Sequence, residues 1–183
     1  MAHEPVRRDH DREHDKAAML GTASRGKQAT DARTDSPSLA HMGFHEFLRY
    51  RTESRAVTDI TDGIEGILRR HQAQSGIVTL HCMHTSASLL IQENSDPDVI
   101  RDLEMWFNRV IPRGDPMWAH KLEGPDDMPA HVRAALTQTS ITLPFAEGKL
   151  LLGQWQAVYL YEHRDGAHER SIVVHVLEDS QAT

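Results

Sequence analysis

Apolar residues recur along this chain with two different periods, and the switches between them outline its elements. Over 45–54, alternation sets Phe47, Arg49 and Arg51 against Leu48, Tyr50 and Thr52, the two-residue period of a strand. Over 58–72 the spacing lengthens. Ile60, Ile64, Ile67 and Leu68 share one helical face and Gly76 stands beyond the end, which predicts an amphipathic helix. Residues 77–85 alternate again and carry the clearest strand pattern, with Val78, Leu80, Cys82 and His84 on one face and Ile77, Thr79, His81 and Met83 on the other. His84 thus prolongs an apolar face with a polar ring, and a satisfied core histidine is the plain alternative to a functional one. Small hydroxyls follow it, Ser86 among them, before the strand pattern resumes.

Asp96-Pro97 pairs an N-cap with a first-turn proline and opens a predicted helix over 97–111, with Ile100, Leu103, Phe107 and Val110 turned inward. Pro112, Gly114 and Pro116 end it. Further strands are expected at 140–143, 149–152, 155–162 and 170–178, the last setting Ile172, Val174 and Val176 against Val173, His175 and Leu177. Strands outnumber helices and several links are short, so the pattern predicts an α+β domain with mainly antiparallel sheets.

The stretch 120–131 follows neither period. It holds His120 and His131, three carboxylates (Glu123, Asp126 and Asp127), one glycine and two prolines. Gly124-Pro125 signals a turn, and Pro129 suits the first turn of a helix over 129–138 capped by Asp126 or Asp127. Val132, Ala135 and Leu136 would form that helix's apolar stripe. His131 then lies in the first turn, where the helix dipole disfavours imidazolium and free N–H groups attract anions such as phosphate. A well-capped loop whose histidines only form hydrogen bonds is the alternative.

Composition narrows the class. The formal net charge of −7 and pI near 6.0 argue against binding to a nucleic-acid backbone. Cys82 is the only cysteine, which excludes an internal disulfide framework and a cysteine-rich zinc site. No apolar run reaches the length of a membrane span, and the N-terminus lacks the apolar core of a secretory signal, so a soluble cytoplasmic protein is expected. Residues 1–40 carry seven Lys+Arg and seven Asp+Glu, leaving 13 against 20 for the remainder and thus the whole negative charge. Almost free of large apolar side chains, residues 1–41 are expected to be a disordered polar tail before a domain over 42–183. Met42, directly before the first patterned residues, is an alternative start to Met1 and Met19.

Four blocks occur in order: His84-Thr-Ser-Ala-Ser-Leu, Glu93-Asn-Ser-Asp-Pro-Asp-Val, Glu123-Gly-Pro-Asp-Asp-Met-Pro-Ala-His131 and Leu152-Gly-Gln-Trp-Gln156. Together they resemble the YjbQ-type family, often named secondary thiamine-phosphate synthase, over roughly residues 42–179. The resemblance implies a compact β-sandwich with flanking helices, a homotrimer, and a low-level thiamine-phosphate-synthase activity. It also implies a polar site of His84, His120, Asp127 and His131, lined by Trp155, Gln156 and Glu162. Two positions depart from the family pattern: Gln154 stands where threonine is usual, and Trp118 where tyrosine is common. Both bear on the shape of a substrate more than on the imidazoles and carboxylates.

Three functions compete at this point. One is a transferase joining a thiazole phosphate to a pyrimidine diphosphate, which needs developing charge on the leaving diphosphate to be stabilised. Another is a metal-assisted hydrolase with water as nucleophile and Glu123 or Asp127 as base. The third is a non-catalytic trimer that binds small phosphorylated metabolites. His84, His120 and His131 are the candidate metal ligands, His131, Asp127 and Glu123 the candidate catalytic groups, and Trp155, Gln156, Glu162 and Ser86 the candidate substrate contacts. Imidazole-rich ligation favours zinc, whereas diphosphate chemistry favours magnesium. For Trp155, core packing is the alternative reading.

Overall fold

The computed structural model describes residues 43–180, so the tail expected over 1–41 and its boundary at Met42 lie outside the described residues. The chain runs β1 (Gly43–Thr52), β2 (Val57–Asp59), α1 (Thr61–Arg70), β3 (Ser75–Cys82), β4 (Ala87–Glu93), α2 (Pro97–Val110), α3 (Asp127–Leu136), β5 (Ser140–Ala146), β6 (Lys149–Leu150), β7 (Gln156–Glu162) and β8 (His168–Glu178). Among the described residues the strands form a five-stranded sheet, β1-β8-β3-β5-β6, and a three-stranded sheet, β2-β7-β4. The strand pairs are antiparallel, so the expected α+β class with mainly antiparallel sheets is the one adopted.

Alternation builds the core. Val78, Leu80 and Cys82 of β3 stand opposite Val176, Val174 and Ile172 of β8, and all six are buried. Leu89 of β4, Val158 and Leu160 of β7, and Ile64, Ile67 and Leu68 of α1 close the same cluster. Residues of both sheets therefore share one apolar interior with α1. The chain crosses between the sheets at 83–86, where His84 lies beyond the end of β3 and just before a bend at Thr85 and Ser86.

The structure corrects three readings of the pattern. Thr58 and Asp59 do not start the helix but lie in β2, a short strand paired with β7, and the helical spacing of Ile60, Ile64 and Ile67 hides it. In α2, Asp96 accepts from Asp98 N at 2.9 Å and Pro97 opens the helix as expected. Val110, however, is 47% exposed, because it lies in the last turn, past the contact of Phe107 with Tyr161. The third concerns α3, which buries Asp127, Pro129, Ala130, Arg133 and Ala134 and leaves Leu136 exposed. Its inner face meets polar groups: Arg133 Nη1 donates to both oxygens of Glu104 at 2.9 Å, and Nη2 donates to Asn108 Oδ1 at 2.9 Å. A buried arginine occupies the place expected for an apolar stripe.

Candidate functional site

Asp126 does not cap α3 through its side chain. Its carboxylate turns instead to the link between β7 and β8, accepting from Arg164 Nε at 2.8 Å and from the backbone N–H of Asp165 at 2.9 Å. Burial opposes ionisation of Asp126, but these donors outweigh it and hold the carboxyl below the usual carboxylate range. Arg164 Nη1 donates to Asp127 Oδ1 at 2.5 Å, and Nη2 donates to the Glu123 carbonyl at 2.7 Å. The acidic loop is thus tied to the end of the three-stranded sheet by one guanidinium.

Asp127 begins α3 and is almost fully buried, with His131 four residues on and therefore on the same face. His131 sits two residues further into the helix than the sequence suggested, past its first turn, because α3 starts at Asp127. Asp127 Oδ2 lies 2.7 Å from His120 Nε2 and 3.4 Å from His131 Nε2. One ligand atom from each of His120, Asp127 and His131 falls within 4.8 Å of the others. His131 Nδ1 donates to the Thr85 carbonyl at 3.0 Å. A carbonyl can only accept, so the neutral ring carries its lone pair on Nε2, aimed at a carboxylate oxygen. Two lone pairs facing each other call for a cation between them, either a proton or a metal ion. Beside the cluster lies a cleft of about 280 Å³, lined by Trp118, His120, Lys121, Gly124, Pro125 and Met128 among others.

The other candidates fall elsewhere. His84 Nε2 accepts from the backbone N–H of Ser171 at 2.8 Å, so the lone pair a ligand would need is already engaged, and His84 is not part of the His120, Asp127 and His131 cluster. Burial, with the nearby Arg170, pulls the His84 ring below the usual imidazole range. Ser86 Oγ accepts from Arg170 Nη2 at 3.2 Å. Glu162 is fully buried and paired with Arg170 at 2.5 and 2.6 Å, so it forms part of the core and does not line the cleft beside His120. Glu123 is 68% exposed at the rim, with an oxygen 3.5 Å from Arg164 Nη1.

Trp155 is 57% exposed and is therefore not a core residue, and Gln156 Oε1 accepts from Gly153 N at 2.8 Å within its own turn. Gln156 pairs with Glu93 at one end of the β4–β7 ladder, and Glu162 pairs with Ala87 at the other. At roughly 3.3 Å per residue, the two ends lie about 20 Å apart. Two of the four sequence blocks meet at the Trp155 end, where Asn94 N donates to the Trp155 carbonyl at 3.0 Å, and the other two meet at His131. Sequence reasoning missed Arg164 altogether. It lies in Glu-His-Arg-Asp-Gly, a run that reads as a polar turn and gives no hint of partners some forty residues earlier.

All of these groups fall inside residues 46–179, which match the family described as UPF0047 protein YjbQ-like. The chain belongs to the YjbQ family. It is similar to the UPF0047 protein sll1880 of Synechocystis, 43% identical over 131 residues that cover 72% of this chain and 89% of that one. To the UPF0047 protein YjbQ of Salmonella typhimurium it is 39% identical over 142 residues, covering 77% and 93%. Among solved structures it resembles a yjbq/upf0047 family protein of Clostridium acetobutylicum, with a TM-score of 0.65, 31% identity and coverage of 72% and 98%. A conserved hypothetical protein from Thermus thermophilus gives a TM-score of 0.63 at 34% identity, covering 70% and 97%. The YjbQ match takes in both ends of the β4–β7 ladder. No helix among the described residues is long and apolar enough to cross a membrane.

Proposed function

We propose that His120, Asp127 and His131 hold a divalent metal ion that serves a small phosphorylated metabolite in the adjoining cleft, in a transfer of the thiamine-phosphate-synthase type. The observation that carries this reading is the orientation of His131, whose Nδ1 is committed to the Thr85 carbonyl while Nε2 faces Asp127 Oδ2. A metal-ligating histidine has this arrangement, with one nitrogen oriented by a carbonyl and the other free to ligate. Three protein ligand atoms suit a working site with an open position better than a closed structural one. Two nitrogens and one oxygen favour zinc or a similar ion, while the diphosphate chemistry draws toward magnesium. Bound there, the ion would stabilise negative charge developing on a diphosphate leaving group. Lys121 at the cleft would meet phosphate oxygens, and Trp118, Pro125 and Met128 would shield an organic ring from water.

The test is metal and metabolite analysis of protein purified without a histidine tag. Wild type and His81→Ala, a change at an exposed strand position, are expected to retain a divalent metal. His120→Ala and His131→Ala are expected to lose at least ~10-fold in affinity, the scale seen even for outer contacts. Equal metal content in wild type, His131→Ala and His81→Ala would sink the metal site and leave an anion pocket. Co-purifying diphosphate compounds support transfer, a hydrolysed product points to the hydrolase with Glu123 as base, and an unchanged ligand points to a binding protein.

A homotrimer of sandwich-like subunits completes the proposal. It is supported by the outer face of the five-stranded sheet, where Phe47 is 48% and Ile77 42% exposed and Val173 pairs with Phe47 across the ladder. Light scattering at micromolar concentration is expected to show a mass of about three chains, the closed cyclic form this symmetry requires. A clean monomer would remove this part.

A further inference from the structure

We infer that Arg164 is the positioning residue of this site: it occupies Asp127 Oδ1 and leaves Oδ2 as the single oxygen that the carboxylate offers to an ion shared with His120 and His131. The inference rests on the metal reading above and deepens it. A carboxylate can ligate through one oxygen or both. Here Nη1 of Arg164 lies 2.5 Å from Oδ1, while both imidazole nitrogens approach Oδ2, at 2.7 and 3.4 Å. The two oxygens of one buried group are thus divided between two kinds of partner.

Arg164 is itself held from several directions. Nε donates to Asp126 at 2.8 Å and Nη2 to the Glu123 carbonyl at 2.7 Å. Its own N–H donates to Glu162 Oε1 at 2.9 Å, and its carbonyl accepts from Arg55 N at 3.1 Å. The side chain is only 14% exposed. Three contacts to three different residues need the planar fork of a guanidinium, which a lysine cannot reproduce. Asp127, with 1% of its side chain exposed, also needs a permanent cation to keep its charge in the interior. Arg164 thereby does for Asp127 what the Thr85 carbonyl does for His131: each fixes one atom of a ligating group so that the other points at the ion.

The rival account is that Arg164 only ties down the acidic loop. Asp126→Asn separates the two, because it weakens the tie through Asp126 and leaves the contact to Asp127. The experiment measures Zn²⁺ affinity of the purified chain by competition with a chromophoric chelator, together with the visible spectrum of the Co²⁺ form and thermal unfolding of each variant. Arg164→Gln is expected to weaken Zn²⁺ binding at least ~10-fold. It should also reduce the intensity of the Co²⁺ bands, because a carboxylate freed to use both oxygens raises the coordination number. Asp126→Asn is expected to keep the wild-type spectrum and lose much less affinity, and Arg164→Lys to fall between. Should Arg164→Gln fail to fold, Arg164→Lys carries the comparison, with a larger loss expected than for Asp126→Asn. Equal losses in Asp126→Asn and the Arg164 variant overturn the inference in favour of the loop tie. Wild-type affinity and spectrum in Arg164→Gln overturn it with the metal site left standing. A wild-type chain that binds no Zn²⁺ overturns both.

Discussion

Replacing Glu162 with alanine is expected to destabilise the domain by about 3–5 kcal/mol, the cost of leaving one partner of a buried ion pair without the other. Glu162 is fully buried; Arg170 donates to both its oxygens and Thr52 Oγ1 donates to one of them at 2.6 Å. With the carboxylate gone, the Arg170 guanidinium, 5% exposed, has Ser86 Oγ left as its side-chain partner. The pair spans β7 and β8, which belong to different sheets, so its loss is felt in both. The double change Glu162→Met with Arg170→Met should be less damaging than Glu162→Ala alone, because no charge is then stranded. Urea unfolding of the three proteins tests this. A loss below about 1 kcal/mol in Glu162→Ala, typical of an exposed pair, would show that water reaches the site.

Acid should weaken the fold well above the carboxylate range. His163 is fully buried against Ser88 and Tyr161; burial, with Arg133 nearby, pushes its imidazole down to about 3. Unfolded, the same ring titrates near 6.5, so between about pH 6.5 and 3 the unfolded chain binds the extra proton and stability falls with pH. The loss amounts to about 2–3 kcal/mol by pH 4.5, since each unit of difference in protonation is worth about 1.4 kcal/mol. His84, also held low, acts in the same direction. Glu162 and Asp126, both shifted down, add their losses only below about pH 4.5, as their unfolded counterparts begin to protonate. His163→Gln keeps an acceptor for Ser88 and cannot titrate, so its stability should fall distinctly less between pH 6.5 and 4.5 than that of the wild type, the remaining slope being the share of His84. Parallel profiles for the two proteins would mean that His163 is not the group responsible.

What the sequence revealed follows from how local each signal is. The strand alternation at Val78–Cys82 and Ile172–Val176 depends only on neighbours two residues away, and it located the core. The Asp96-Pro97 start of α2 is equally local. The stripe of α3 was misread because hydropathy alone cannot anticipate a buried Arg133, which is stable only through Glu104 and Asn108 on another helix. The site divides in the same way. His120, Asp127 and His131 lie within twelve residues and were visible as a cluster. The binding of His84 to Ser171 N and of Arg164 to Asp126 and Asp127 depends on how β7 and β8 return to the acidic loop, which no local pattern encodes.

The link after β7 has a consequence for how the chain can vary in length. Its four successive side chains go to four separate places: Glu162 to Arg170, His163 to Ser88, Arg164 to the acidic loop, and Asp165 to Arg55 at 2.9 Å and Arg113 at 2.5 Å. Deleting one residue between Glu162 and Arg164 would send a guanidinium to the buried position that accommodates only a neutral ring, and inserting one there would move His163, Arg164 and Asp165 each off its own partner. The next residue, Gly166, has a φ of +81° and open space around the position of a Cβ. Tolerance to insertion therefore changes across a single peptide bond: the spacing is rigid up to Asp165 and free to lengthen at Gly166 and Ala167, before β8 begins at His168.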